Sequence, residues 1–127
     1  MKKVSLITLT KNSDETLVNC LNSAVQQDYN NLEFIFVDAG SNDRTLNILK
    51  AFPRKKKILT QKSIGLYSAL NEGVRAASGD IIGILHSDDV LNEKSTISKV
   101  VEKMSKSNSK IFLGDIIYFK DNPNKIS

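Results

Sequence analysis

The chain is poor in residues that build covalent or soft-metal devices. Among 127 residues there are one cysteine, one histidine, two prolines and no tryptophan. A lone Cys20 excludes an internal disulfide, and no Cys or His stands near it at metal-ligand spacing. A zinc-type site is therefore not expected, and a reduced, cytoplasmic setting fits. No apolar run approaches the ~20 residues that cross a bilayer. The opening residues, Met1 to Thr8, lead into a strand-like segment rather than a signal peptide, so the chain is expected to be soluble. Five Phe and three Tyr are too few to interleave with a basic stripe, and the excess of 18 Lys and Arg over 14 Asp and Glu is spread along the chain. No nucleic-acid partner is expected. The net charge of +4 instead favours a small anionic partner such as a nucleotide, or a phospholipid surface. The one dense basic run, Arg54-Lys55-Lys56-Lys57, follows Pro53 and reads as a solvated loop between a helix and a strand.

What is present is an ordinary supply of core-forming residues, 40% hydrophobic against 25% charged, enough for one domain spanning 1–127. Apolar runs alternate with amphipathic stretches. Val4 to Leu9, Leu32 to Val37, Lys57 to Thr60 and Asp80 to Leu85 read as strands, and Lys110 to Phe119 as one or two more around Gly114-Asp115. Between them, Leu17, Val18, Leu21, Ala24 and Val25 share a helical face, with Ser13 as cap and Asp14 and Glu15 in the first turn. Asp43 to Phe52 forms a second helix stopped by Pro53. A third starts at Leu66, with Ser63 as cap and Gly79 as terminator, and a fourth turns Ile97, Val100, Val101 and Met104 inward. This alternation predicts an α/β fold: an open, mostly parallel sheet with helices on both faces. In such sheets ligands bind beyond the carboxyl ends of the strands. Three polar segments fall there: Thr8 to Asn12, Asp38 to Asp43, and His86 to Asp89.

Each segment has two readings when taken alone. Asp88 and Asp89 after a buried strand repel one another, and a divalent cation resolves that repulsion; hard oxygen ligands suit Mg²⁺ or Mn²⁺, with His86 as a nitrogen ligand for Mn²⁺. The alternative is that Ser87, Asp88 and Asp89 cap the following segment. Asp38 is either an acceptor for a base or ribose, or a turn former ahead of Gly40, with Asp43 as a helix cap.

The ordered set is more specific than its parts. Val4-Ser5-Leu6-Ile7-Thr8-Leu9-Thr10-Lys11-Asn12, Ser23-Ala24-Val25-Gln26-Gln27-Asp28-Tyr29 and Glu33-Phe34-Ile35-Phe36-Val37-Asp38-Ala39-Gly40-Ser41-Asn42-Asp43-Arg44-Thr45 follow in order. Then come Gly65-Leu66-Tyr67-Ser68-Ala69-Leu70-Asn71-Glu72-Gly73-Val74, Ala77-Ser78-Gly79-Asp80 and Leu85-His86-Ser87-Asp88-Asp89. Together they resemble the amino-terminal, nucleotide-sugar-binding part of family 2 glycosyltransferases. The resemblance implies a GT-A (Rossmann-like) fold, truncated at the C-terminal acceptor half and so incomplete relative to the family. It implies metal-assisted transfer of a sugar, with inversion, from a UDP- or GDP-linked nucleoside-diphosphate-sugar to an acceptor hydroxyl. Thr8 and Asp38 would line the nucleoside pocket, Asp88 would approach the ribose or the metal, and Asp89 would hold Mn²⁺ or Mg²⁺ on the diphosphate. The implied acceptor is a saccharide or a lipid-linked one in surface polysaccharide assembly, with peripheral association at the inner face of the membrane.

Two departures stand out. Gln61, Ser63 and Ser68 occupy positions where relatives often carry acids, and Ala39 stands where some have a second Asp that reads the base. No residue is assigned as the base that deprotonates the acceptor; Asp115 has only its position to commend it, and Gly114-Asp115 reads as the rim of the sheet. The competing expectation is a noncatalytic nucleotide-binding or interaction module that lacks the acceptor half.

Overall fold

The computed structural model describes residues 1–106, 111–113, 117–122 and 124, so Gly114 and Asp115 lie outside the described residues. Its elements run β1 (Val4–Thr10), α1 (Leu17–Val25), β2 (Leu32–Asp38), α2 (Thr45–Ala51), β3 (Lys56–Thr60), α3 (Leu66–Ala76), β4 (Ile81–Ile84), α4 (Thr96–Lys106), β5 (Ile111–Leu113) and β6 (Ile117–Asp121). The sheet order is β3-β2-β1-β4-β6-β5. The first four strands pair in parallel, and β6 runs antiparallel to both β4 and β5.

The apolar runs are continuous because both faces of the sheet are covered. All seven residues of β2 are buried. Leu6, Phe34, Phe36 and Ile81 face one way, into a cluster with Leu17 and Leu21 of α1, Leu49 of α2 and Ile97 and Val100 of α4. Ile7, Ile35, Val37 and Ile82 face the other way, against Ala69 of α3. Gly73 lets that helix approach closely: a Cβ there would lie 2.8 Å from Ile7 Cγ2.

Two helix boundaries differ from the sequence expectation. Helix α1 starts at Leu17, not at a Ser13 cap: the Ser13 hydroxyl is turned back onto Lys11, accepting its N–H (3.2 Å), while the N–H groups of Ser13 and Asp14 donate across to Thr45 Oγ1 (2.8 Å) and Asp43 Oδ2 (3.2 Å). Residues 13–16 form a turn that leads into α1, with the Ser13 carbonyl accepting from the N–H groups of Thr16 and Leu17. Helix α3 begins after Gly65 at φ 109° without a side-chain cap, and ends at Ala76 because Ala77 is extended (ψ 129°). Gly79 therefore terminates nothing. It sits where a Cβ would meet Ser5 Oγ at 2.6 Å and Ser5 N at 2.7 Å, so it allows the turn before β4 to touch β1.

The basic run lies between α2 and β3 as expected, with Lys55 and Lys57 exposed, but Arg54 and Lys56 are engaged with the protein. Arg54 donates to the carbonyls of Ala24, Val25, Gln27 and Tyr29 at the end of α1, and lies 5.8 Å over the Phe34 ring. Lys56 Nζ donates to the carbonyls of Leu49, Lys50 and Phe52, closing α2. Cations at helix carboxyl ends satisfy orphan carbonyls and the helix dipole together.

At the amino edge of the sheet Glu33 is 1% exposed yet charged. Its Oε2 accepts from Ser5 Oγ (2.6 Å), Ser78 N–H (2.7 Å) and Ser78 Oγ (2.9 Å), while Lys3 and Lys57 stand 3.5 and 3.8 Å from Oε1. Burial works against its ionisation, but these hydrogen bonds and the Lys3 charge prevail and hold its carboxyl at about 2. The network ties β1, β2 and the turn before β4 into one register.

Candidate donor-binding site at the carboxyl edge

Three loops meet at the opposite, carboxyl edge of the sheet, after β1, β2 and β4. The loop after β2 is built on Asp38, which is 1% exposed. Its Oδ1 accepts from Thr10 Oγ1 (2.8 Å), the same-face neighbour in the β1–β2 register, and from Ser41 Oγ (2.6 Å). Its Oδ2 accepts the N–H groups of Gly40 (3.1 Å) and Ser41 (2.8 Å). Burial raises the cost of its charge, but bonds from Ser41, Thr10 and Gly40 outweigh it and hold the carboxyl below its ordinary range. Gly40 takes a φ of 84°, which the tight turn requires. Both oxygens of Asp38 are thus engaged within the protein, fixing Ala39, Gly40 and Ser41. Thr8 is 0% exposed, on the same face of β1 as Leu6, and its Oγ1 makes no hydrogen bond to any described residue.

The loop after β4 carries the acidic turn. The Leu85 N–H donates to the Ile7 carbonyl (3.0 Å), extending the ladder one step, and the Asp89 N–H donates to the His86 carbonyl (3.1 Å), closing the turn. His86 and Asp88 are exposed; Ser87 and Asp89 are half-buried. Since α4 starts only at Thr96, this turn is not its amino terminus. Beneath it, burial together with the charges of Asp89 and Asp88 pushes the Cys20 thiol up to about 12, so it stays protonated and lies 3.5 Å from the His86 carbonyl. Cys20 is a core residue, not a nucleophile.

Two clefts open at this edge. One, of about 410 Å³, is lined by Asp14, Glu15, His86, Ser87 and Asp88, with Asn12, Ser13 and Thr16 and with Leu9 and Leu66. The other, of about 260 Å³, lies between the β2 loop and the segment after β3, and is lined by Lys11, Ala39, Gln61, Lys62, Ser63, Ile64 and Gly65. The first is acidic and the second basic. Asp14, Glu15, Lys11 and Lys62 were not among the sequence-derived site residues. Their common signal was position, in the segments that follow the carboxyl ends of β1 and β3.

No group of three or more His, Cys, Asp and Glu gathers among the described residues, so no metal cage built of protein alone is present there. Adjacent carboxylates at an open cleft suit a cation that takes one or two protein oxygens and completes its shell with phosphate and water. Asp88 lines the acidic cleft, and Asp89 follows it half-buried in the same turn.

Residues 5–127 match the sequence family described as glycosyl transferase family 2. The chain belongs to that family. As a family 2 member it is 32% identical over 118 residues to a PGL/p-HBAD biosynthesis glycosyltransferase of Mycobacterium bovis, an alignment covering 89% of this chain and 46% of that protein. The structure superposes on S. aureus TarS residues 1–349 in complex with UDP-GlcNAc with a TM-score of 0.76 at 27% identity, over 82% of this chain and 31% of that one. On the mannosyltransferase PcManGT of Pyrobaculum calidifontis, solved with GDP-Man and Mn²⁺, the TM-score is 0.83 at 21% identity, over 94% and 44%. This family 2 chain therefore has the GT-A arrangement expected from its motifs, and it spans less than half the length of the curated relatives it matches first.

Proposed function

We propose that this chain forms the donor-binding part of a glycosyltransferase, which moves a sugar with inversion from a nucleoside-diphosphate-sugar to the hydroxyl of a saccharide or lipid-linked acceptor. The observation that carries the reading is the presence, at one sheet edge, of an acidic cleft beside the turn after β4 and a basic cleft beside the loop after β2. A nucleotide sugar offers matching parts: a base whose ring carbonyls can accept from ammonium groups, and a diphosphate whose divalent cation would meet carboxylates. TarS and PcManGT, with their UDP- and GDP-linked sugars, add support by likeness.

In this reading the basic cleft takes the nucleoside. Asp38 acts from beneath it by holding Ala39 to Ser41 in place, and Thr8 packs below the same edge. Asp89 and Asp88 hold Mn²⁺ or Mg²⁺ against the diphosphate, with Asp88 facing the open cleft and His86 beside it. When bound, the cation supplies Lewis-acid stabilisation of the charge that grows on the departing nucleoside diphosphate. The chain's own part is to fix the three loops before ligand arrives, so that little ordering cost falls on binding. The expected setting is surface polysaccharide assembly on the cytoplasmic side of a membrane, with peripheral contact and no nucleic-acid partner.

Isothermal titration of UDP and of GDP, each with Mn²⁺ and with EDTA, tests the reading. Binding with Mn²⁺ that weakens at least about tenfold in EDTA or in Asp89→Ala is expected. Absence of metal-dependent binding to either nucleotide overturns it.

A further inference from the structure

A further groove, of about 480 Å³, lies between α1 and the segment that follows the acidic turn. Its walls are fixed by hydrogen bonds beneath it. The Leu91 N–H donates to Ser23 Oγ (3.0 Å), and the Asp28 N–H to the Lys94 carbonyl (2.8 Å). The buried Gln27 carboxamide donates to the Glu93 carbonyl (2.7 Å) and accepts the Ile97 N–H (3.1 Å). Gln27 is thus a staple between the two walls, and the groove is formed before any ligand arrives.

The lining is polar but nearly without charge. Helix α1, Leu17 to Val25, contains no charged residue, in a chain of which 25% is charged. Its outward face presents carboxamides instead. Asn19, Asn22 and Gln26 stand three and four residues apart and so share one side of the helix. All three are exposed, and their side chains hydrogen-bond no other described residue. Asn92 adds a carboxamide from the opposite wall, and Val90, 44% exposed, adds an apolar surface. The two charges of the lining, Glu93 and Lys94, cancel, and Glu93 is already paired with Lys99 (2.6 Å).

The groove also continues the acidic cleft. The same two segments line both and run in the same direction, since their contacts follow in the order Ser13 to Ser87, Ser23 to Leu91, Gln27 to Glu93 and Asp28 to Lys94. The cleft ends at Thr16 and Asp88, and the groove takes up at Asn19 and Val90.

From this lining and this continuity we infer that the groove binds a neutral oligosaccharide, the part of a saccharide acceptor remote from the reacting hydroxyl. The inference rests on the proposed function and commits its acceptor to an extended, uncharged glycan. A carboxamide offers two N–H donors and a carbonyl, and a sugar hydroxyl donates once and accepts twice, so the two pair without leaving a group unmet. No charge has to be stripped of water, as it would for a phosphate or carboxylate ligand. Val90 gives the C–H face of a pyranose ring an apolar seat. From Asn19 to Gln26 the helix rises about 10 Å, longer than one pyranose ring, so more than one sugar unit is needed to fill the groove.

The test places the full chain on a printed array of neutral oligosaccharides, neutral monosaccharides and glycans bearing uronic acid or phosphate, beside the double variant Asn19→Ala, Asn22→Ala. Both positions are exposed and alanine favours helix more than asparagine, so α1 is kept. A parallel titration of UDP with Mn²⁺ into both proteins reads the donor site. Expected are retention on neutral oligosaccharides in preference to monosaccharides and acidic glycans, a loss of about tenfold or more in the variant, and equal UDP affinity in the two proteins. Retention unchanged in the variant, a preference for acidic glycans, or no retention on any neutral oligosaccharide overturns the inference, and UDP binding by the same protein then leaves the donor-site reading standing. Retention with the expected loss in the variant, but without UDP binding, supports the groove and removes the donor-site reading.

Discussion

At the scale of single residues, two buried polar groups behave oppositely. Glu33 has three hydrogen bonds to Oε2 and the Lys3 and Lys57 ammonium groups 3.5 and 3.8 Å from Oε1, whereas Thr8 Oγ1 has no partner among the described residues. The Glu33 carboxyl is held at about 2, against 4.5 for the free group, so its charge stabilises the fold above the unfolded pKa. That contribution, on the order of 3 kcal/mol, is lost as pH falls from about 4.5 through about 2. Glu33→Gln is therefore expected to be less stable than wild type at pH 7. Urea denaturation across pH should show the gap closing below about 4.5; a gap that stays constant down to pH 2 contradicts the assignment. Thr8 Oγ1 already bears the cost of an unpaired buried hydroxyl, so Thr8→Val should be neutral or stabilising by up to about 1 kcal/mol in the same assay. If Thr8 instead meets the nucleoside directly, the substitution weakens nucleotide binding, which a parallel titration reads.

At the scale of elements, the strands were the legible part. Phe34-Ile35-Phe36-Val37 and Ile81-Ile82-Gly83-Ile84 announce themselves because covering both faces of a parallel sheet removes polar alternation. The position of the acidic turn followed directly, since it ends the second run. Helix starts were less legible, because they depend on residues distant in sequence. Ser13 and Asp14 have the composition of a helix start, yet the Ser13 hydroxyl bonds back to Lys11 and the segment is tied to the loop after β2 through Thr45 and Asp43. The antiparallel insertion of β6 between β4 and β5 had no local signal either, being a matter of strand order. Arg54 and Lys56 had the look of a solvated run, and nothing in the sequence reveals which helix ends they reach. Gly79 shows how tight one such contact is. Gly79→Ala puts a methyl within 2.6 Å of Ser5 Oγ and 2.7 Å of a backbone nitrogen, neither of which can move without disturbing the Glu33 network. A loss of about 2 kcal/mol or more is expected from chemical denaturation, and a substitution without effect would show that this turn is loosely packed.

At the scale of the molecule, the two edges of one sheet have different tasks. The amino edge is locked by Glu33, Ser5, Ser78 and Lys3, and carries the register. The carboxyl edge is left open, with carboxylates gathered in one cleft and ammonium groups in the next. Of the candidate residues, the sequence made Asp38, Asp88 and Asp89 visible, because Asp38 ends an apolar strand and the other two follow one. It concealed that Asp38 is consumed by its own loop, and that Lys11 is the charged group beside Ala39. The central claim is that the turn from His86 to Asp89 holds a divalent cation together with the nucleotide diphosphate. Paramagnetic Mn²⁺ reports on it most directly. In amide-resolved NMR spectra of the full chain, trace Mn²⁺ added with UDP is predicted to broaden the resonances of His86 to Asp89 selectively, and far less when the nucleotide is absent. Broadening centred on any other part of the chain, or the same broadening with and without nucleotide, would contradict the account.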